Sequence, residues 1–139
     1  MLSESISLAR ANFPKSKLHV LGAGAPSTVR MSFQYGADSV DSIGWRRAAG
    51  FGTIFLPGGT ERFVSDRARQ RPRSRRQLDN NDLQMIATCD CPPCSRNNSL
   101  ESRLALLSEC YLARAAHNAS VLIGEARRAS SISSTTAEA

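Results

Sequence analysis

The stretch "KLHVLGAGAPSTVRMSFQYGADSVDSIGW", residues 17–45, decides the fold class of this chain. Its first part, 17–24, has the apolar run of a short buried strand that ends in a glycine turn. The segment 25–36 has helical character, with Gly36 as its C-terminal stop. The segment 37–45 returns to strand character. A strand, a helix and a strand with short connections predict the βαβ unit of a parallel sheet.

The segments on either side of this unit continue an α/β pattern. Apolar periodicity predicts helices at 3–12, 79–87, 99–115 and 117–129, and an extended segment at 52–59. With 139 residues, of which 41% are hydrophobic, the chain is long enough for one ordinary domain with its own core.

Positive charge is concentrated in one run. The net charge is +6, and "RARQRPRSRR" (67–76) contains six arginines, as many as the whole net charge. The run has no apolar period and is predicted to be a loop, either a solvated one or one that contacts polyanions such as nucleic acid. The tail "SSISSTTAEA" (130–139) has the low complexity of a disordered segment.

The compartment follows from apolar runs and cysteine usage. No stretch approaches the ~20 apolar residues of a membrane span, and the N-terminus lacks a signal-peptide pattern. The expectation is a cytoplasmic protein without membrane contact. Thiols stay reduced in that compartment, where clustered cysteines more often bind metal than form disulfides.

Three of the four cysteines crowd into "CDCPPC", residues 89–94. The spacing Cys89-x-Cys91-x2-Cys94 brings three soft sulfurs within reach of one centre. Zinc prefers four tetrahedral ligands from cysteine and histidine, and a site with four protein ligands is structural. The alternative is that these are spare thiols or an oxidised pair in a small loop.

The fourth ligand has to come from elsewhere in the chain. The only histidines are His19 and His117. His117 lies one helix length beyond the cysteines, so the next helix can return it to the cluster. His19 lies in an apparently buried strand and is the poorer candidate. Cys110 stands alone on a predicted helix and is expected to be a small buried hydrophobic residue.

These motifs, taken in order, resemble those of the tRNA-guanine transglycosylase family. The cysteine spacing followed by "HN" at 117–118 is similar to the family's zinc signature. Upstream, Gly22-Ala23-Gly24, Pro26, the Gly36-x-Asp38-x-x-Asp41 run and the arginine and glycine that follow are similar to its central segment. The resemblance covers about residues 17–129. It implies the C-terminal portion of a TIM (β/α)8 barrel with a zinc-binding subdomain.

The resemblance also implies a reaction, the exchange of a guanine base in a polynucleotide for a 7-deazaguanine. In the family an aspartate attacks the ribose C1′, and the incoming base displaces it. By motif position this nucleophile is Asp41. A carboxylate at the end of a parallel strand faces the rim where such barrels have their sites. The alternative for Asp41 is a strand-end capping residue, and Asp38 is interpreted as structural support.

Other positions carry substrate contacts by the same resemblance. Leu21 and Gly22 align with residues that flank the exchanged base, and Arg47 aligns with a nucleic-acid contact that Arg46 would assist. The family's "PTR" is "WRR" here, and its "RNG" is "GFG". The segment is closer to the DpdA-type branch, which places deazaguanine in DNA. The resemblance therefore implies tRNA or DNA as the substrate.

Length sets the chain apart from the family. A TIM barrel needs about 250 residues and eight strand–helix units, and two such units are predicted here. The predicted organisation is a partial barrel at 1–87, a zinc-binding helical subdomain at 88–129 and the tail. A partner chain would supply the rest of the barrel, and the family's dimers suggest a homodimer. The other hypotheses are a non-catalytic zinc-containing nucleic-acid-binding module and a degenerate fragment.

Overall fold

The computed structural model describes residues 1–65 and 77–135, without the side chains of residues 60 and 132–135. This part of the chain is a mixed arrangement of seven helices and two small sheets. In chain order the elements are α1 (Leu2–Asn12), β1 (His19–Val20), α2 (Pro26–Gln34), β2 (Ser39–Val40), α3 (Gly44–Gly50), β3 (Thr53–Leu56), β4 (Thr60–Phe63), α4 (Asn80–Ala87), α5 (Pro92–Ser95), α6 (Leu100–Glu109) and α7 (Tyr111–Thr135). The arginine-rich run 67–76 falls outside the described residues.

The predicted βαβ unit is present. β1 and β2 pair in parallel, with His19 opposite Ser39, and α2 connects them. Gly22, at the end of β1, has φ +73°, and Gly36, just after α2, has φ +104°. Only glycine adopts these angles without strain, which explains why the strand and the helix end where they do.

Asp38 connects the βαβ unit to α1 through hydrogen bonds. Its Oδ2 accepts hydrogen bonds from the Leu18 backbone N–H (2.7 Å) and from Arg10 (2.6 Å). The Leu18 hydrogen bond and the Arg10 contact lower the pKa of Asp38 below its ordinary value of 3.8. The network therefore stabilises the fold above pH 3.8 and is lost as the pH falls through the lowered pKa. Asp38 thus has the structural role that the sequence predicts.

Helix α3 replaces the end of the second predicted strand. The chain leaves β2 after two residues and forms a helix at Gly44–Gly50. Gly44 allows this because its backbone lies directly against the Gly24 turn, where an added Cβ would overlap the Gly24 carbonyl oxygen. The helix then buries Ala48 and Ala49, whose small side chains permit close packing.

Gly44→Ala is expected to destabilise the fold by roughly 1–3 kcal/mol, because the new methyl group overpacks the contact with Gly24. Gly50→Ala is the matched control, since a Cβ at Gly50 meets no atom within 4 Å. Urea unfolding of both variants measures the difference. Equal unfolding free energies would contradict the close approach.

The extended segment predicted at 52–59 is confirmed as β3, but it is half of a hairpin that the sequence did not reveal. β3 pairs antiparallel with β4, with Thr53 opposite Phe63 and Leu56 opposite Thr60. Gly58 and Gly59 make the turn with φ of +90° and +100°. Within the described residues the two sheets stay separate and no closed barrel forms.

The C-terminal helices break at a different place from the predicted one. The break lies at Cys110, whose extended backbone (φ −102°, ψ 111°) separates α6 from α7. His117 is therefore in the second turn of α7 rather than at the start of a helix. α7 continues to Thr135, through the first residues of the predicted tail. None of the helices in the two described ranges combines the length and the apolar character that crossing a membrane requires.

Strand β3 separates two of the three hydrophobic clusters that form the core of the described residues. Ile54 and Leu56 pack with Ile86, Cys91, Cys94 and Leu107 on one side. Phe55 points the other way and packs with Ala23, Val29, Ala48, Val121 and Leu122. The cysteine loop (residues 89–94) is thus part of the core rather than a surface attachment, and α7 contributes residues to both of these clusters.

Candidate metal centre

The cysteine loop folds so that its sulfurs turn inward. Cys91 is the N-cap of α5, and Pro92 at the first helical position suits its extended backbone (φ −61°, ψ 156°). The Ser95 N–H donates to the Cys91 carbonyl (2.9 Å), and the Asn97 N–H donates to the Cys94 carbonyl (3.0 Å). These two bonds close a tight turn in which Cys91 and Cys94 are 6% and 1% exposed.

The ligand atoms of the four predicted metal ligands lie close together. Nδ1 of His117 lies 3.7 Å from Sγ of Cys89, 3.3 Å from Sγ of Cys91 and 3.6 Å from Sγ of Cys94. All four atoms lie within 4.8 Å of one another. Tetrahedral zinc bonds of about 2.0–2.3 Å separate neighbouring ligand atoms by about 3.5 Å. The donor set and its spacing therefore fit a tetrahedral metal site.

His117 is held in the orientation that a metal ligand needs. Its Nε2 lies 2.9 Å from the Phe55 carbonyl oxygen and donates its N–H there. This fixes the tautomer and leaves the Nδ1 lone pair directed at the sulfurs, as is usual for metal-binding histidines. The imidazole is only 1% exposed, so packing holds it as well.

The neighbouring Asn118 holds the same strand, a role that the sequence did not reveal. Its Oδ1 accepts from the Phe55 N–H (2.7 Å), and its Nδ2 donates to the Thr53 and Trp45 carbonyls (3.2 Å each). His117 and Asn118 together form hydrogen bonds with the backbone groups of Thr53 and Phe55 on the edge of β3 that does not pair with β4. The only signal in the sequence was the position of Asn118 directly after a ligand.

Close contact within the cluster shifts the pKa of three of the four donor groups. Burial lowers the pKa of His117, but hydrogen bonds with Cys89 and Cys91 outweigh it and raise the pKa to about 10. Hydrogen bonds from Cys91 and Cys94 lower the pKa of Cys89, and those with Cys89 and Cys91 raise the pKa of Cys94. A divalent cation that these groups bound would displace their protons.

The remaining histidine and cysteine lie outside the cluster. His19 is exposed, and its Nδ1 lies 2.7 Å from the Ser39 hydroxyl, so the expectation that it is buried was wrong. Cys110 is half-buried between α6 and α7 and accepts a hydrogen bond from the Ala113 N–H (3.4 Å). Cys110 therefore has a structural position at the helix break.

Asp41 lies at the carboxyl end of the parallel pair, as predicted. Its Oδ1 accepts a hydrogen bond from the Gly22 N–H (2.5 Å), and its backbone carbonyl accepts from the Ala23 N–H (3.0 Å). Asp41 is exposed, and Leu21 beside it is 78% exposed. Three predicted site residues therefore lie together on an open surface.

The two predicted arginines have different surroundings. Both are exposed on α3. The guanidinium of Arg46 lies 5.7 Å from the ring centre of Trp45, within cation–π range. Arg47 lines an open groove of about 540 Å³ together with Gly22, Phe51, Phe55 and Glu61. Arg47 and Gly22 thus line the same groove, while the Arg46 guanidinium stacks on the Trp45 ring.

Comparisons with protein-family models, with curated proteins and with solved structures find no match to this chain.

Proposed function

We propose that this chain is the nucleophile-and-zinc portion of a guanine transglycosylase of the family that its motifs resemble. The observation that carries the proposal is the position of Asp41 at the carboxyl end of a parallel βαβ unit. The Gly22 N–H fixes one oxygen of its carboxylate, and the residue is open to solvent. A second motif of the same resemblance, the Cys3His cluster, also has its four ligand atoms together.

Zinc has a structural role in this proposal. Cys89, Cys91, Cys94 and His117 would fill all four coordination places, which leaves no open position for catalysis. The bound metal would fix the second turn of α7 against the cysteine loop. Phe55 then links the two sites, because its backbone is held by His117 and Asn118 while its side chain lines the groove.

Asp41 would act by nucleophilic displacement. Its free carboxylate oxygen forms a bond to C1′ of the ribose as the bond from C1′ to the guanine nitrogen breaks, and guanine leaves with the bonding pair and takes up a proton from solvent. The ring nitrogen of a 7-deazaguanine then attacks C1′ and loses its proton to solvent, which breaks the ester and restores the carboxylate. The hydrogen bond from the Gly22 N–H to Oδ1 orients the carboxylate.

The substrate in this proposal is tRNA, with DNA as the alternative. The net charge of +6 favours a polyanion. Arg47 lines the groove and Arg46 lies beside it, so both are available for phosphate contacts. Such contacts do not distinguish the two polymers, and assays with both are required.

The proposal includes a partner chain that supplies further strands of a TIM barrel. The described sheet has only two parallel strands, far fewer than the eight of such a barrel. An apolar groove of about 380 Å³ lies between α2 and α7, lined by Val29, Phe33, Trp45, Leu122 and Ile123. Ile43 and Ile123 are 68% and 52% exposed. An uncovered apolar surface of this kind is typical of an interaction site.

The test is a base-exchange assay on the chain with and without its partner. The tagged chain is isolated from its organism of origin, and both this assembly and the purified chain are incubated with labelled guanine and tRNA or DNA. We expect exchange only in the assembly. Asp41→Asn should lower it by on the order of a thousandfold or more, as for other lost nucleophiles, whereas Glu109→Gln on the exposed end of α6 should leave it unchanged.

Each outcome of this assay decides one part of the proposal. Exchange by the purified chain alone would overturn the need for a partner. Full exchange by the Asp41→Asn assembly would overturn the role of Asp41. Salt-dependent nucleic-acid binding without any exchange in the assembly would favour a non-catalytic zinc-containing module instead.

A further inference from the structure

Arg103, in the first turn of α6, binds the cysteine loop from both sides. Its Nη1 donates to the carbonyl oxygens of Ile86 (2.9 Å), Ala87 (2.5 Å) and the metal ligand Cys89 (3.1 Å). Its Nε donates to the Asn97 carbonyl oxygen (2.9 Å). The first three carbonyls come at or before the first ligand, and the fourth follows the last one.

The charge of Arg103 also suits this place. A Zn²⁺ ion with three thiolates and a neutral imidazole has a net charge of −1. Within residues 1–65 and 77–135, no carboxylate forms an ion pair with Arg103, and its four acceptors are backbone carbonyls. Its positive charge is therefore not cancelled by an acid and lies next to the backbone of Cys89.

We propose that Arg103 is a positioning residue of the metal centre: it holds the two ends of the cysteine loop together and so fixes Cys89 in the geometry that zinc requires. This inference rests on the zinc site of the proposed function. Cys89 needs such support most, because it is the one half-exposed cysteine of the cluster. Mutation of a residue that holds a metal ligand in place typically lowers the metal affinity by 10- to 100-fold.

Arg114, on the following helix α7, provides a matched comparison. It also donates to three backbone carbonyls, those of Ala49 (2.9 Å), Leu107 (2.8 Å) and Ser108 (2.9 Å). It is 7% exposed, and burial lowers the pKa of its guanidinium. None of its three acceptors belongs to a metal ligand. Arg114 therefore stabilises helix ends without touching the cysteine loop.

The experiment measures zinc release from the full chain to a chromophoric chelator, and the absorption spectrum of the Co²⁺-substituted chain. Arg103→Gln is expected to release zinc roughly ten- to a hundredfold faster than the native chain and to change the Co²⁺ bands. Arg114→Gln should lower the unfolding temperature and leave both metal readouts near native. If the Gln variant does not fold, Arg103→Lys replaces it. This variant keeps the positive charge but loses the guanidinium group that donates to several carbonyls at once. The same changes in zinc release and in the Co²⁺ bands are expected.

The outcomes separate this inference from the proposed function. Native release rates and spectra in both Arg103 variants would overturn it, as would equal acceleration by Arg103→Gln and Arg114→Gln. A native chain that binds neither metal would overturn it together with the zinc part of the proposed function. Absence of base exchange concerns the proposed function alone, because neither metal readout depends on activity.

Discussion

Cys91→Ser is expected to abolish zinc binding and to remove about 4 kcal/mol of stability. Sγ of Cys91 is the sulfur nearest to Nδ1 of His117, at 3.3 Å, and the residue is 6% exposed. A serine hydroxyl is a poor zinc ligand, so Cys89, Cys94 and His117 would be left without a fourth partner, the last two of them in the core. A ligand present at a thousand times its Kd stabilises the folded state by about 4.1 kcal/mol, and this contribution disappears with the site.

Cys110→Ser is the matched control for this prediction. Cys110 is the fourth cysteine, and it lies outside the cluster at the break between α6 and α7. Metal analysis and thermal unfolding, each with and without a chelator, should show native behaviour for this variant. Zinc content and chelator sensitivity at native levels in Cys91→Ser would contradict the assignment of the site.

Asn118→Ala is expected to destabilise the fold by roughly 2–6 kcal/mol. The side chain is fully buried, and its removal leaves the Phe55 N–H and the Thr53 carbonyl without their partner. Each buried polar group that is left unpaired costs about 1–3 kcal/mol. Because the same segment of β3 positions His117, we also expect weaker zinc binding in this variant.

Ser120→Ala is the control on the same helix, since the Ser120 hydroxyl bonds only the helix carbonyl of Ala116 (2.9 Å). Urea unfolding of both variants in excess zinc measures the difference in stability. A loss below about 1 kcal/mol in Asn118→Ala would mean that β3 is held by packing alone.

The parts of the fold that follow from local sequence were predicted correctly. The βαβ unit depends on a short apolar run, a helix and glycine stops at positions 22 and 36, all within 25 residues of one another. The meeting of the three cysteines with His117 was also predicted, because soft donors at this spacing have few uses other than metal binding when thiols stay reduced.

The parts that depend on distant contacts were missed. Gly44 begins α3 because of a contact with Gly24, and β4 forms because its backbone pairs with β3. Glu125 is another example: its fully buried carboxylate accepts from the Gly58 N–H (2.9 Å) and from Arg128 (2.7 Å). Apolar periodicity carries no information on such partners, and a charged residue on a helix is ordinarily expected at the surface.

The same limit applies to the metal centre. The sequence indicated the ligands but neither the Phe55 carbonyl that orients His117 nor the Arg103 contacts that hold the loop. Backbone carbonyls are present at every residue, so a sequence does not reveal which one accepts a given hydrogen bond. The ligand set could thus be predicted, while the groups that position it required the structure.

The most direct test of the central claim is X-ray absorption at the zinc edge on the freshly reduced, purified chain. The structure predicts about one zinc per chain, bound by three sulfurs at about 2.3 Å and one nitrogen at about 2.0–2.1 Å. A zinc-free chain, or a zinc with fewer than three sulfur ligands, would contradict it.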